Sequence, residues 1–126
     1  MSSSTRVLTV DDSRTMLDML RVALTSRGFT VVQAENGKEG LEALDKGPFD
    51  VVISDVNMPV MDGFTFIRTL RENKDHASLP VLFLTTETSR EKRDQGRAAG
   101  ATGWIVKPFD PEKLVATIRK VCPQAA

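Results

Sequence analysis

The sequence has little cysteine, no net charge and no long apolar run, and each shortage excludes a class of protein. Cys122 is the only cysteine, so no disulfide forms within the chain and a reducing compartment is expected. Lys plus Arg and Asp plus Glu both number 17, so no overall field attracts nucleic acid or an anionic membrane. Apolar runs fall short of the roughly 18 residues of a membrane-spanning helix. We expect one cytoplasmic, monomeric domain over residues 1–126.

Short apolar runs alternate with amphipathic stretches along the chain, a pattern typical of a parallel sheet covered by helices on both faces. Strands are predicted at residues 6–10, 30–34, 51–54, 81–84 and 103–106. Helices are predicted over residues 13–26 and 90–99, after the caps Asn36 and Asp110, and after Asp62-Gly63. Thr88, with Glu91 three residues later, is the predicted cap of the helix at 90–99. The expected fold class is α/β, with five strands and five helices.

Polar side chains stand where the predicted strands end. Asp55 ends the apolar run at 51–54, and Asp11 and Asp12 follow the first strand. Taken singly, each acid has an ordinary explanation as a helix cap or a turn residue. If the strands are parallel, however, the carboxylates converge on one edge, where open α/β sheets carry their sites. Such a cluster needs cations, and Mg²⁺ is favoured because it binds carboxylate oxygen and keeps its waters.

Three more residues follow the fourth and fifth strands. Lys107 ends the fifth strand and brings an ammonium group to the same edge, while Thr85 and Thr86 bring hydroxyl groups. Alone, a lysine here is usually solvated and a threonine is a common cap. Together with the acids they supply a carboxylate nucleophile, a metal site, a lysine and a hydroxyl. Those are the groups needed to accept a phosphoryl group, whose transfer depends on positioning and charge neutralisation.

These residues resemble the motifs of the receiver domains of two-component response regulators. The matching segments are residues 10–13, 55–63, 84–86 and 106–109, in the family's order and at suitable separations. No effector domain is expected after Ala126, so the resemblance is to stand-alone chemotaxis regulators of the CheY type. It implies a doubly wound, flavodoxin-like sheet of order 2-1-3-4-5. It also implies a signalling protein that catalyses only its own phosphorylation and dephosphorylation.

The resemblance implies a role for each site residue. Asp55 is expected to take a phosphoryl group from a histidine kinase, and Mg²⁺ to be bound by Asp12 and Asp55, by Asp11 through water, and by the Asn57 backbone carbonyl. Lys107 is expected to pair with the phosphoryl oxygens, Thr85 to hydrogen-bond to them, and the Lys107–Pro108 bond to be cis. Asn57 and Glu87 lie at positions that tune dephosphorylation. A transient phosphoryl group is therefore predicted.

The family's switch aromatic is usually Tyr or Phe, whereas this chain has Trp104. Trp104 is either a partly buried packing residue or a switch that fills the space Thr85 leaves. The helix at 90–99 is either an ordinary solvated helix or, with Arg90 and Arg93 beside Trp104, a basic output face. The expected partner of that face is a phosphorylation-dependent target such as the flagellar motor switch.

Three alternatives remain at this point. A phosphate sink or relay intermediate needs the same acids and lysine, so the sequence separates it poorly. A flavodoxin-like electron carrier needs a phosphate-binding loop after the first strand, and Asp11-Asp12-Ser13 repels phosphate. A metal-dependent phosphatase needs a substrate pocket and a general acid, for which the sequence offers no candidate.

Overall fold

Five parallel strands form one sheet in the computed structural model, which describes residues 5–123. The order β2-β1-β3-β4-β5 confirms the predicted doubly wound, flavodoxin-like sheet. The strands are β1 (Arg6–Val10), β2 (Thr30–Ala34), β3 (Val51–Ser54), β4 (Val81–Thr85) and β5 (Gly103–Val106). Only β4 differs from its predicted bounds. It is longer by one residue because Thr85 pairs with Val106 of β5.

Five helices connect and cover the strands, as predicted. They are α1 (Arg14–Thr25), α2 (Gly37–Lys46), α3 (Gly63–Arg71), α4 (Arg90–Ala99) and α5 (Pro111–Val121). A short 3₁₀ helix, Lys74–His76, lies in the loop before β4 and was not expected. No helix among the described residues is both long enough and apolar enough to cross a membrane.

Side chains cap the helix starts and fix where each helix begins. Two predicted caps, Asn36 and Asp110, are confirmed, because each accepts a hydrogen bond from an N–H in the first turn of its helix. Asp62 caps α3 in the same way, although the sequence predicted only that a helix follows it. The predicted cap Thr88 is wrong. Ser89 caps α4 instead, and its hydroxyl accepts the Lys92 N–H at 3.2 Å. The helix therefore begins one residue later than a Thr88 cap requires.

The core has two layers, one on each face of the sheet. Alternate residues of each central strand point to opposite faces, so Val51 and Ile53 join the layer under α1 and α5, whereas Val52 joins the layer under α2, α3 and α4. All three are at most 1% exposed. Burying each of these side chains contributes roughly 1.5–3 kcal/mol, so β3 anchors the residue that follows it, Asp55.

The sequence predicts an inward stripe of Met16, Leu20, Ala23 and Leu24 on α1, and the buried face of the helix differs from it. Leu17, Leu20 and Leu24 are fully buried, whereas the predicted Met16 and Ala23 are only half-buried. The helix is therefore turned slightly from the expected orientation. This leaves Met19 and Val22 exposed on its outer face.

Candidate functional site

The three predicted acids lie together at the carboxyl edge of the sheet. Val10 and Ser54 are paired across β1 and β3, so the residues that follow them, Asp11 and Asp55, emerge side by side. One carboxylate oxygen from each of Asp11, Asp12 and Asp55 lies within 4.8 Å of the others. Asp11 and Asp55 are buried, with 2% and 8% exposure, while Asp12 is exposed. The convergence expected from parallel strands is therefore present.

Lys107 reaches the acids from the far side of β4. Its Nζ lies 2.8 Å from Asp11 Oδ2 and 3.0 Å from Asp55 Oδ2. Lys107 leaves β5 with its N–H donated to Thr85 O at 2.8 Å, and the Lys107–Pro108 bond is cis, as expected. Burial works to lower the pKa of the Lys107 ammonium, but its hydrogen bonds to Asp11 and Asp55 outweigh burial and raise that pKa. Lys107 is therefore charged at neutral pH.

The cluster lacks enough positive charge of its own. Burial raises the pKa of the Asp11 carboxyl, and the hydrogen bond from Lys107 offsets this only in part. Three ionised carboxylates and one ammonium leave a formal charge of −2 in a largely buried site. A hard divalent ion neutralises that charge, and Mg²⁺ binds through one or two carboxylates plus water. The donor set therefore fits a divalent cation.

Both oxygens of the Asp55 carboxylate are oriented by hydrogen bonds. Oδ1 accepts the Val56 N–H at 2.7 Å, and Oδ2 accepts from Lys107. The chain then bends back so that Gly63, at the start of α3, lies against Asp55. A Cβ added to Gly63 would lie only 2.3 Å from Asp55 O and 2.6 Å from Phe83. Sequence reasoning missed this role, although the signal was a glycine directly after the Asp62 cap.

Thr85, Glu87 and Trp104 form a connected set beside the acids. Thr85 is fully buried at the end of β4, and its Oγ1 accepts the Glu87 N–H at 3.2 Å. Trp104 Nε1 donates to Glu87 O at 3.1 Å. Within residues 5–123 the Thr85 hydroxyl makes no hydrogen bond to the carboxylates. The Glu87 backbone therefore links Thr85 to Trp104 through its N–H and its carbonyl, a connection that the sequence did not indicate.

Trp104 is a partly buried packing residue in this conformation. Its ring meets Phe83 edge-on, with centroids 5.4 Å apart. Gly96 of α4 allows the close approach, because a Cβ there would lie 2.9 Å from Trp104 Cζ3. The packing explanation is thus correct for this state. The role of Trp104 as a switch stays a prediction.

The remaining predicted residues lie around the acids or on α4. Asn57, Thr86, Arg90 and Arg93 are exposed, and Glu87 is half-buried. Arg93 also lines a shallow pocket of about 200 Å³ with Arg97, Trp104 and the segment between α4 and β5. The basic helix and the aromatic residue are therefore neighbours, as expected. Their roles in switching and output stay predictions.

A family model for the response regulator receiver domain matches residues 7–119. The chain is 36% identical over 122 residues to chemotaxis protein CheY-3 of Vibrio cholerae serotype O1, covering 96% of this chain and 94% of that protein. It is 35% identical over 118 residues to the probable transcriptional regulator ycf29 of Porphyra purpurea, covering 94% of this chain but only 56% of that relative. The solved structure of Vibrio cholerae chemotaxis protein CheY4 superposes with a TM-score of 0.91 at 48% identity, covering 94% and 99% of the two chains.

These matches agree with the sheet order and with the acids at its carboxyl edge. The chain belongs to the response regulator receiver domain family. Within that family it is CheY-like, and it is a two-component signalling protein.

Proposed function

We propose that the chain is a single-domain response regulator whose Asp55 accepts a phosphoryl group from a histidine kinase. The observation that carries the proposal is the arrangement of Asp55, a buried carboxylate oriented by Val56 N–H and Lys107 inside a cluster of negative net charge. A purely structural acid does not need two further carboxylates beside it. The free-energy cost of placing like charges together is explained if the site binds a cation for its reaction.

The proposed step is nucleophilic displacement at phosphorus. A carboxylate oxygen of Asp55 attacks the phosphorus of a phosphohistidine, a P–O bond forms as the P–N bond breaks, and the imidazole leaves as a neutral ring after taking up a proton. Lys107, already bonded to Asp55, turns its ammonium toward the phosphoryl oxygens. The product is an acyl phosphate on the chain itself, so the chain turns over no separate substrate.

Mg²⁺ is the proposed cofactor. Asp11, Asp12 and Asp55, with the backbone carbonyl of Asn57, are the residues that would hold it. The ion supplies positive charge to the phosphoryl oxygens during transfer. Asp12 is exposed, so it gives the site an opening to solvent through which an ion and its waters enter.

The proposal is tested by intact mass after incubation with Mg²⁺ and acetyl phosphate. We expect one phosphoryl adduct on the wild type and on Asp45→Asn, an exposed aspartate of α2, and none on Asp55→Asn. Chelation of Mg²⁺ with EDTA is expected to suppress the adduct. An adduct that survives in Asp55→Asn refutes the assignment of the acceptor.

The proposed switch runs from Thr85 to Trp104 through the Glu87 backbone. A phosphoryl group on Asp55 attracts the Thr85 hydroxyl, which then releases the Glu87 N–H. The Glu87 carbonyl accepts the hydrogen bond of the Trp104 indole, so a shift of the Glu87 backbone moves or frees the ring. Phosphorylation is therefore expected to change Trp104 emission in the wild type but not in Thr85→Ala. An equal change in both proteins, with equal adduct by mass, contradicts the switch while leaving Asp55 as acceptor.

The proposed output is phosphorylation-dependent binding of a target protein in chemotaxis, with the flagellar motor switch as the candidate. The names of the Vibrio cholerae relatives and the basic surface of Arg90 and Arg93 beside Trp104 support this choice. Asn57 and Glu87 are proposed to guide the water that ends the signal, which keeps the phosphoryl group short-lived.

Binding of the phosphorylated chain to the motor switch protein of the same organism tests the output. Arg93→Glu and Trp104→Ala are expected to weaken binding, whereas Arg68→Glu, an exposed arginine on α3, is expected to leave it intact. A wild type that is phosphorylated but binds no switch protein favours the alternative role of phosphate sink or relay intermediate. Transfer of the phosphoryl group to a second histidine protein would establish the relay role.

A further inference from the structure

Arg71, the last residue of α3, donates hydrogen bonds to backbone carbonyls in two other segments. Its Nη2 and Nε donate to Gly100 O at 2.8 and 3.3 Å, and its Nη1 donates to His76 O at 2.8 Å and Ala77 O at 3.4 Å. Gly100 caps the C-terminal end of α4, and His76 ends the 3₁₀ helix. Arg71 therefore ties the end of α4 to the loop before β4.

Within the described part of the chain, the Arg71 side chain binds backbone carbonyls and does not form an ion pair. No carboxylate among residues 5–123 forms a salt bridge with Arg71. Burial lowers the pKa of the Arg71 guanidinium, so the charge sits there at a desolvation cost. A planar guanidinium offers several N–H donors in fixed directions, which a lysine does not. These fixed N–H directions allow one guanidinium to bind carbonyls of two different segments.

The backbone conformation of Gly100 allows the close contact with Arg71. Its φ of 112° lies in the left-handed region, which favours glycine, and an added Cβ would lie 3.1 Å from Arg71 Nε. The Gly100 N–H donates to Arg97 O, and the Ala101 N–H donates to Gly96 O, which closes the helix end. The carbonyl of Gly100 is thus directed to Arg71 while its neighbours complete the cap.

The two ends of α4 are held very differently. Its buried residues, Gly96 and Ala99, both lie in the C-terminal half, next to the contact with Arg71. At the N-terminal end Ser89 and Arg90 are exposed. This end comes directly after Glu87, whose backbone links Thr85 to Trp104. One end is fixed and the other end adjoins the proposed switch.

We propose that Arg71 is a positioning residue that makes the C-terminal end of α4 a pivot. Displacement of the segment after Thr85 then tilts α4 about Gly100 instead of shifting the whole helix. The tilt moves Arg90 and Arg93 while Gly96 and Ala99 stay packed. The static part of this proposal, the pivot, stands without phosphorylation; the driven tilt rests on the proposed function.

The pivot is tested first by native-state amide hydrogen exchange without phosphodonor. We expect Gly100 and Ala101 to exchange more slowly than Arg93 and Asp94 in the wild type. Arg71→Met should speed Gly100 and Ala101 by roughly tenfold or more, the effect of losing a hydrogen bond to a charged group. Exchange at Arg93 and Asp94, and in β1, should stay as in the wild type.

Two further variants separate positioning from general stability. Arg68→Met removes the neighbouring exposed arginine of α3 and should leave both ends of α4 unchanged. Arg71→Lys retains the charge but not the fork, so it should restore protection at Gly100 only in part. If Arg71→Met speeds β1 and both ends of α4 by one common factor, its role is merely structural and the pivot is wrong.

The driven tilt is tested by repeating the exchange with Mg²⁺ and acetyl phosphate. In the wild type, phosphorylation should change exchange at Arg93 and Asp94 and leave Gly100 and Ala101 unchanged. In Arg71→Met the change should spread to both ends. An equal response of both ends in the phosphorylated wild type overturns the tilt. If intact mass shows no adduct, the proposed function fails and the tilt with it, while the exchange without phosphodonor still decides the pivot.

Discussion

Asp11→Asn is expected to stabilise the metal-free protein. Asp11 is almost fully buried among two other carboxylates and one lysine. Burial raises the pKa of its carboxyl, which means that the folded chain binds this proton more tightly than the unfolded chain does. At neutral pH the ionised Asp11 therefore lowers the free energy of unfolding, and a neutral amide of the same shape relieves that penalty.

The expected gain is small because the Coulomb terms nearly cancel. At an effective dielectric constant of about 20, Lys107 at 2.8 Å attracts the ionised Asp11 by roughly 6 kcal/mol. Asp12 and Asp55, with oxygens within 4.8 Å, together repel it by about the same amount. Burial of the charge then decides the sign. We expect Asp11→Asn to raise the free energy of unfolding by about 1–2 kcal/mol, which lies within the usual range for a single substitution.

Urea denaturation in EDTA and in Mg²⁺ measures the effect. In EDTA the midpoint of Asp11→Asn should rise by roughly 1 M, whereas the exposed control Asp45→Asn should not move. Mg²⁺ at 100 times its dissociation constant should add about 2.7 kcal/mol to the wild type and less to Asp11→Asn. A metal-free Asp11→Asn that is less stable than the wild type refutes the reasoning.

The same variant has a defined pH dependence. The penalty from Asp11 is present above the raised pKa of the folded chain and absent below 3.8, the ordinary value that applies when the chain is unfolded. The advantage of Asp11→Asn should therefore be complete at neutral pH and disappear as the pH falls to that value. An advantage that grows on acidification would mean that another group is responsible.

Two further predictions concern backbone and packing. Val60 has a φ of 74°, in a three-residue turn closed by the hydrogen bond from Met61 N–H to Pro59 O. Because this φ is strained for a β-branched residue, Val60→Gly should raise the free energy of unfolding, measured with urea, by about 1 kcal/mol. The control Val60→Thr, which is also β-branched, should not raise it. Gly96→Ala places a methyl group against Trp104. It should therefore lower the free energy of unfolding by about 1–3 kcal/mol and shift the emission of Trp104. Ala98→Ser, at an exposed position of the same helix, is the control and should change neither quantity. A stable Gly96→Ala with unchanged emission contradicts the packing shown by the structure.

Most of the fold was predictable because its signals are local. The strand Val51–Ser54 begins with three apolar residues in a row, which predicts a strand covered on both faces. Asp110 before Pro111 likewise predicts a helix start. The errors arose where several residues compete for one local role. Thr88 and Ser89 are adjacent hydroxyl residues, and only the backbone decides which of them caps α4. The 3₁₀ helix Lys74–His76 has no comparable pattern in the sequence.

The site was predictable in its membership but not in its connections. Parallel strands bring Asp11, Asp55 and Lys107 to one edge whatever their side-chain conformations, so their proximity follows from topology. The Glu87 carbonyl and the Arg71 guanidinium act through hydrogen bonds between a side chain and the backbone of a segment far away in sequence. Residue type carries little information about such contacts, because many residues could supply the same N–H or carbonyl.

The acid cluster and the loosely held end of α4 have a common physical logic. The cluster keeps unfavourable charge in the folded state, so binding of a cation and a phosphoryl group releases free energy that the fold itself does not use. That free energy biases a conformation only if some element moves at small cost. The first turns of α4 have no fully buried side chain, so they are the least costly element beside Thr85. The free energy of unfolding that the protein loses through Asp11 is thereby coupled to movement of Arg90 and Arg93. A variant that stabilises the metal-free cluster should therefore reduce the movement of α4 on phosphorylation.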